Sequence, residues 1–354
     1  MSRVRFLIRR TVFAVVAAIS VLTVVFLLIT VPKNPNVAAV KFNAAMSGRD
    51  PQAAAEAYRA SHNLGKSLWW RYTHWMSNVL QFRWGMSQSV GAPVVAVLKR
   101  AAPYTLAYLV PGVILSIAVG VSAGVMTALR RQSITDRLGA SISYLGYGIP
   151  NFFLGSLLLV LVGTQFGWDG TGFRDGLVTT KNAKRYVLPT LILASTLTAS
   201  QLRYTRSLSA DLLGHDFVRL VRAKGASTSR IARHILRNAA VPLLTLSFAD
   251  LLGVLVLNIF VLEFVFGIPG IGTVSLRAIR DRDVPLVLGT TTLFIFVGVL
   301  GNLVQDLAYV VLDPRIEECA FDEQTTNHTT ACLSRGKLSA IFPRGLLSLA
   351  EEYG

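Results

Sequence analysis

The segment from Asp211 to Pro242 carries the residues best placed to do work on a partner. It contains Asp216-Phe-Val-Arg-Leu-Val-Arg-Ala-Lys-Gly225 and, further on, Arg237-Asn-Ala-Ala-Val-Pro242. Arg219 and Arg222 stand three apart, as do Arg230 and Arg233, with Arg237 four further on. On a helix those spacings gather charge on shared faces and leave Phe217, Leu220, Val221, Ile231 and Ile235 to pack. Asp216 reads as the N-cap of a short helix and Gly225 as its left-handed terminator. Ser227 reads as the cap of a second helix running on toward an apolar segment. The expected product is a compact helix–turn–helix knob. Two uses for it stand level on these residues alone. One is a polybasic patch on anionic lipid, where each Lys or Arg near the surface is worth about 1 kcal/mol. The other is a docking knob, which alone would need the Gly225 hinge, Ala223 and the Asn238…Pro242 ending.

Other chemistry is sparse. The sequence has no G-x-x-x-x-G-K-[ST] phosphate loop, so any ATP chemistry must come from elsewhere. The five histidines (His62, His74, His215, His234 and His328) lack zinc-helix spacing, and no Ser/His/Asp or Cys/His set suggests catalysis. Cys319 and Cys332 with His328 between them match no complete zinc pattern and read as reduced thiols. No metal and no enzyme activity of the chain's own are expected.

The elements that must carry the knob follow from composition. Of 354 residues, 52% are hydrophobic and 15% charged, with a mean hydropathy of +0.51. Soluble domains carry roughly 25% charged residues, so a bilayer is the compartment that fits. The 35 Lys and Arg against 19 Asp and Glu give a net charge of +16. That charge lies between apolar runs and not on a soluble body, which excludes a nucleic-acid binder.

The first apolar run, 11–30, follows Arg3, Arg5, Arg9 and Arg10 and is longer than a secretory signal core, so it reads as a retained helix. The region 32–100 has no spanning run. It holds an Ala-rich stretch and Trp69, Trp70, Trp75 and Trp84, which suit a membrane interface. Five further segments, 102–129, 138–166, 187–208, 239–262 and 286–311, are each near the roughly 20 residues a span needs. Pro150 is expected to kink the third span, and Pro111 and Pro189 to lie near helix ends. The basic N-terminus, the Arg130-Arg131…Arg137 turn and the Arg203–Arg237 stretch place both termini in the cytoplasm. The expected fold is thus all-α: a polytopic membrane protein with about six transmembrane helices and a cytoplasmic helix–turn–helix. Its parts are an N-terminal helix over 1–31, an extracytoplasmic insertion over 32–100, a membrane domain over 101–312 and a cytoplasmic tail over 313–354.

Polar residues inside the spans mark candidate contacts. Gly120 and Gly124 form a G-x-x-x-G step suited to close helix packing. Ser195, Thr196, Thr198, Ser200 and Gln201 stripe the fourth span, and Asp250 and Asn258 lie in the fifth. They line a solute path or hold helices together. Asn302 and Asp306, near the cytoplasmic end of the last span, suit packing or capping. Glu263, Pro269, Gly270 and Gly272 belong to a short Gly/Pro-interrupted segment that reads as a broken helix closing an outer gate.

The coupling stretch and its Arg237-Asn-Ala-Ala-Val-Pro242 ending resemble the ATPase-coupling segment of ABC-importer permeases. The similarity is greatest to the dipeptide/oligopeptide/nickel family, in its first, B-type subunit. Five further matches follow in order: Leu129-Arg-Arg-Gln-Ser…Asp136-Arg, Gly148-Ile-Pro150-Asn-Phe-Phe-Leu-Gly155, Glu263-Phe-Val-Phe-Gly-Ile-Pro269-Gly-Ile-Gly272, Arg282-Asp-Val-Pro285 and Leu312-Asp-Pro-Arg315. Trp84-Gly-Met-Ser87 resembles the approach to the second span of that subunit. Arg83, Trp84, Tyr104 and Val221 depart from the family's usual residues. The resemblance implies an inner-membrane permease of a bacterial importer of short peptides. It implies docking of ATPase subunits on segment 209–238, through Asp216, Arg219, Arg222, Ala223, Lys224, Gly225, Arg230, Arg233, Asn238 and Pro242. It also implies a homologous second permease, two ATP-binding subunits that hold the ATP and magnesium, and an extracytoplasmic substrate-binding protein. The competing expectation is an ATP-independent secondary transporter or channel, for which an inverted repeat between the halves would speak. No such repeat is visible.

Overall fold

The computed structural model describes residues 3–31, 35–130, 133–167, 173 and 180–312. The described residues form α1 (Arg3–Thr30), α2 (Pro35–Met46), α3 (Pro51–Ser61), α4 (Leu68–Leu80), α5 (Val94–Leu129), α6 (Ile134–Gly148), α7 (Asn151–Phe166), α8 (Thr180–Leu212), α9 (Asp216–Ala223), α10 (Thr228–Phe266), α11 (Ile271–Arg280) and α12 (Val284–Leu312). One isolated antiparallel bridge, Met86 to Pro93, closes a turn before α5. The Cys319, Cys332 and His328 set and the expected tail over 313–354 lie outside the described residues.

Among the described residues three helical stretches are long and apolar enough to cross a membrane: Ile8–Thr30, Val94–Leu129 and Val284–Ala308. A fourth is made by Val256–Phe266 and Ile271–Arg280 taken together, bent by 83°. The chain is thus a helical membrane protein with several spans.

Three local expectations change. The segment 138–166 is two helices and not one kinked span. Pro150 takes φ −61° and ψ 132° directly before α7, because proline has no N–H for the preceding turn and its ring opposes helical geometry just before it. Pro111 lies deep inside α5 and Pro189 inside α8, well away from the ends. α5 also begins at Val94 and not at 102. Lys99 and Arg100 end an apolar count without ending a helix, since Val94, Val97 and Leu98 pack on Ala278 and Leu286.

Small residues set the closest helix pair. Gly112, Gly120 and Gly124 of α5 face α8. A Cβ at Gly120 would stand 2.6 Å from the Cβ of Gln201, and one at Gly124 would stand 2.6 Å from that of Thr205. The G-x-x-x-G step is therefore a packing device, as small residues let helix backbones approach. Around it Tyr108, Ile192, Leu193, Leu197, Leu262, Phe266 and Ile268 form a buried cluster shared by α5, α8, α10 and the turn after α10. On the same side as the knob, Arg206 of α8 grips Asp136 of α6 with bonds of 2.6 and 3.1 Å, a two-point geometry that fixes orientation as well as distance. α1 leans on α12, where Arg10 meets Asp306 at 3.6 Å.

At the opposite end a buried aspartate ties the inserted region to α12. Asp283 accepts the hydroxyls of Ser87 at 2.6 Å and Ser89 at 2.8 Å, the Ser89 N–H at 2.9 Å and the Leu286 N–H at 3.2 Å. Burial opposes its ionisation, but those four donors outweigh it and hold the carboxyl below its ordinary value. Two of the sequence motifs, Trp84-Gly-Met-Ser87 and Arg282-Asp-Val-Pro285, thereby meet in space.

Gly120→Val should lower stability by about 1–3 kcal/mol, because the new side chain has to displace the α8 backbone. The unfolding midpoint of the detergent-solubilised chain reads this directly, and an unchanged midpoint would contradict the α5–α8 packing.

Candidate functional site

The knob is built locally. His215, at φ −76° and ψ 150°, is the N-cap of α9, and Asp216 is its first helical residue. The expected cap is thus displaced by one residue, since the extended backbone that a cap requires falls on His215. Asp216 instead places its charge in the first turn, at the positive end of the helix dipole. Gly225 has φ +74°, which side chains rarely allow. The Gly225 N–H reaches the Arg222 carbonyl at 2.9 Å and the Ala226 N–H reaches that of Val221 at 3.3 Å. This is the paired bonding of a Schellman terminator, so Gly225 ends the helix by geometry. Ser227, at φ −64° and ψ 155°, then opens α10.

Val218, Ile231 and Ile235 are buried between α9 and α10, with Phe217, Val221, Leu129 and Leu212 packed around them. Leu220, expected to pack, is 58% exposed because it lies two positions past Val218 and so on the far side of the short helix. Asp216, Arg219, Arg222, Ala223, Lys224, Gly225, Arg230, Arg233 and Asn238 are all exposed on this one knob. Arg219 lies 3.5 Å from Asp216, and the Asn238 amide donates to the His234 carbonyl at 2.8 Å. The Pro242 side chain lies outside the described residues. α10 continues unbroken for 39 residues, about 58 Å at 1.5 Å per residue. One rod thus joins the knob to the bend at its other end.

Midway along the bundle the polar residues divide. Thr196 donates its hydroxyl to the Asn151 Oδ1, and the Asn151 amide donates to Asn258 Oδ1. These contacts join α8, α7 and α10. Asn151 is a residue that sequence reasoning missed. The signal available was a single amide directly after Pro150, at the head of an otherwise apolar helix. Gln201 is buried beneath Gly120, and Ser195 is exposed with its hydroxyl on the Ile192 carbonyl at 2.8 Å. The Asp250 side chain lies outside the described residues.

At the far end of α10, Gly267 takes φ +63° and the chain turns into α11. Glu263 is fully buried beneath this turn. Its Oε1 accepts the Thr105 hydroxyl at 2.6 Å and the Tyr108 hydroxyl at 3.3 Å, and its Oε2 accepts the Thr273 N–H at 3.0 Å. The Thr105 hydroxyl oxygen also accepts the Ile271 N–H at 2.9 Å. The first N–H groups of α11 have no intrahelical partner, and Glu263 with Thr105 supplies one from within the bundle. Gly270 permits the approach, since a Cβ there would stand 2.3 Å from Glu263 Oε1. Gly272 permits another, with a Cβ falling 2.8 Å from the Ile259 carbonyl oxygen. Pro269 is exposed at the apex. Among the described residues no cluster of His, Cys, Asp or Glu is arranged to hold a metal.

Glu263→Ala should leave the Thr105 hydroxyl and the Thr273 N–H without an acceptor, at about 1–3 kcal/mol each. Glu263→Gln keeps an acceptor oxygen and should cost less. Thermal unfolding of the two variants checks the order, and equal midpoints would remove Glu263 from its capping role.

Residues 120–318, more than half of the chain, match the family described as binding-protein-dependent transport system inner membrane component. The probable peptide ABC transporter permease protein y4tP of Sinorhizobium fredii is 36% identical over 73% of this chain and 83% of its own length. The oligopeptide transport system permease protein AppB of Bacillus subtilis is 30% identical over 88% of this chain and 99% of its own. The glutathione transport system permease protein GsiC of Escherichia coli K12 is 32% identical over 75% and 86%. The matched span takes in the knob, the Asn151 cluster and the Glu263 turn, and the chain belongs to the family of binding-protein-dependent inner-membrane transport components.

Proposed function

We propose that this chain is a permease subunit of an ATP-driven importer of short peptides. The observation that carries the reading is the exposed, rigidly terminated knob at the end of α10, in a chain of this permease family. The peptide class is supported by the names of the relatives, which carry peptide, oligopeptide and glutathione transport. An ATP-independent secondary transporter is disfavoured by the same family membership.

In this reading the bundle crosses the bacterial inner membrane six times with both termini in the cytoplasm. A second, homologous permease completes the path, and two ATPase subunits bind ATP and magnesium and dock on segment 209–238. An extracytoplasmic protein delivers the solute. Closure of the ATPase pair moves the knob, and α10 carries that displacement through the Asn258 contact to the Glu263 turn. The helices then exchange between two arrangements, each favoured by a different nucleotide state. Ser195, Thr196, Gln201, Asp250 and Asn258 are the candidate path residues, and Asn151 joins them on the strength of its bonds to Thr196 and Asn258. Glu263, Pro269, Gly270 and Gly272 form the candidate outer gate.

Gly225→Pro tests the coupling. Proline fixes φ near −65° and cannot adopt the +74° found here. Uptake of a labelled tripeptide by cells carrying the variant should fall at least about tenfold, more than 1.4 kcal/mol of lost coupling, while the chain still inserts in the membrane. Normal uptake would sink the docking assignment. Recovery of a second permease and phosphate-loop ATPases with the tagged wild-type chain, but not with the variant, would support it independently.

A further inference from the structure

At the end of the bundle opposite the knob, a cavity of about 250 Å³ opens between α1, α4, the turn before α5 and the first turns of α12. Its wall carries Arg71, Arg83, His62 and His74 and no carboxylate. Among the described residues Arg71 has no ion-pair partner, and its partial burial destabilises the charged guanidinium. Trp70 stacks on His74 at 4.7 Å, and the Lys66 ammonium stands 5.8 Å from the Trp70 ring. Guanidinium groups and indoles lining one cavity without a carboxylate describe a receptor for an anion attached to something apolar.

The depth of the cavity narrows the class. Tyr72 of α4 bonds Thr23 of α1 at 2.7 Å, and Phe26 touches both Tyr72 and Trp75. Thr23 lies seven residues before the end of α1, about 10 Å along the helix. α4 therefore lies beside the end of a spanning helix, at the level where headgroups meet acyl chains and where tryptophan concentrates. Trp69, 73% exposed, Leu80 and Phe82 add exposed apolar surface on α4 and just after it.

We infer that this cavity binds the phosphate of an anionic phospholipid, with Arg71 as its principal contact and the aromatic helix α4 lying along the acyl chains. A free phosphate shares the headgroup chemistry but would not require the exposed aromatic rim. Each basic side chain near a phospholipid surface contributes about 1 kcal/mol, roughly a fivefold change in occupancy.

The test uses the full chain in its assembled complex, reconstituted in bilayers containing a phosphatidylglycerol analogue with a photoreactive headgroup. Labelled peptides should map to residues 62–85 and 284–292 of the wild-type chain, which requires no variant to fold. Arg71→Gln should cut that labelling roughly fivefold, and Arg71→Lys should restore most of it. Millimolar inorganic phosphate should leave the labelling intact. Displacement by inorganic phosphate would overturn the lipid assignment in favour of a free-anion site. Label recovered on another subunit, spread evenly along the chain, or indifferent to Arg71→Gln would overturn the site itself.

Discussion

A carboxylate sealed inside a membrane protein has to be answered by donors, and the Glu263 contacts show how much of this bundle is arranged to answer it. The chain turns by 83° between α10 and the amphipathic α11, and the N–H groups freed at the turn need acceptors. Glu263 accepts the Thr273 N–H of α11 and the hydroxyls of Thr105 and Tyr108 of α5. Three helices are thus tied at one residue. Gly270 and Gly272 are small because the carboxylate and the Ile259 carbonyl occupy the space that a side chain would take. Removing the bend, the acid or either glycine disturbs the other two.

The same economy operates in the rest of the bundle. α5 is a hub because its small residues admit α8 at close range. Asn151 then gives α7 a polar hold on both α8 and α10. The bundle accordingly combines an α5–α8 pair joined by close packing with an α7–α10 contact made by hydrogen bonds.

The knob was legible because its determinants are local. Gly225, Ser227, and the inward positions of Phe217, Val221, Ile231 and Ile235 follow from spacing within two turns of helix. Asp216 was misplaced by one residue, and Leu220 was assigned to the wrong side, because an eight-residue helix leaves little periodicity to read. The G-x-x-x-G step was legible as packing, but its partners Gln201 and Thr205 were not. The Ser87–Asp283 and Thr105–Glu263 bonds join residues 196 and 158 positions apart, and no local pattern encodes such a pairing. Hydropathy marked the apolar stretches that lie in α1, α5 and α12 but misjudged where α5 starts, since Val94–Arg100 is helical for reasons of tertiary packing.

A lever is only as stiff as its weakest joint, and α10 has one that chemistry identifies. Pro242 lies within the helix, and proline has no N–H to give the carbonyl four residues earlier, that of Asn238. Asn238 turns its own side chain back to the His234 carbonyl, sharing the acceptor of the helical bond, a back-bond that favours a bend in the same turn. The missing N–H and the back-bond thus fall on one stretch of α10, between the knob and the rest of the helix. Under the importer reading this makes the Asn238-Ala-Ala-Val-Pro242 element the place where a push becomes a tilt. It accounts for an amide and a proline four apart, which a lipid-binding basic patch would have no reason to contain.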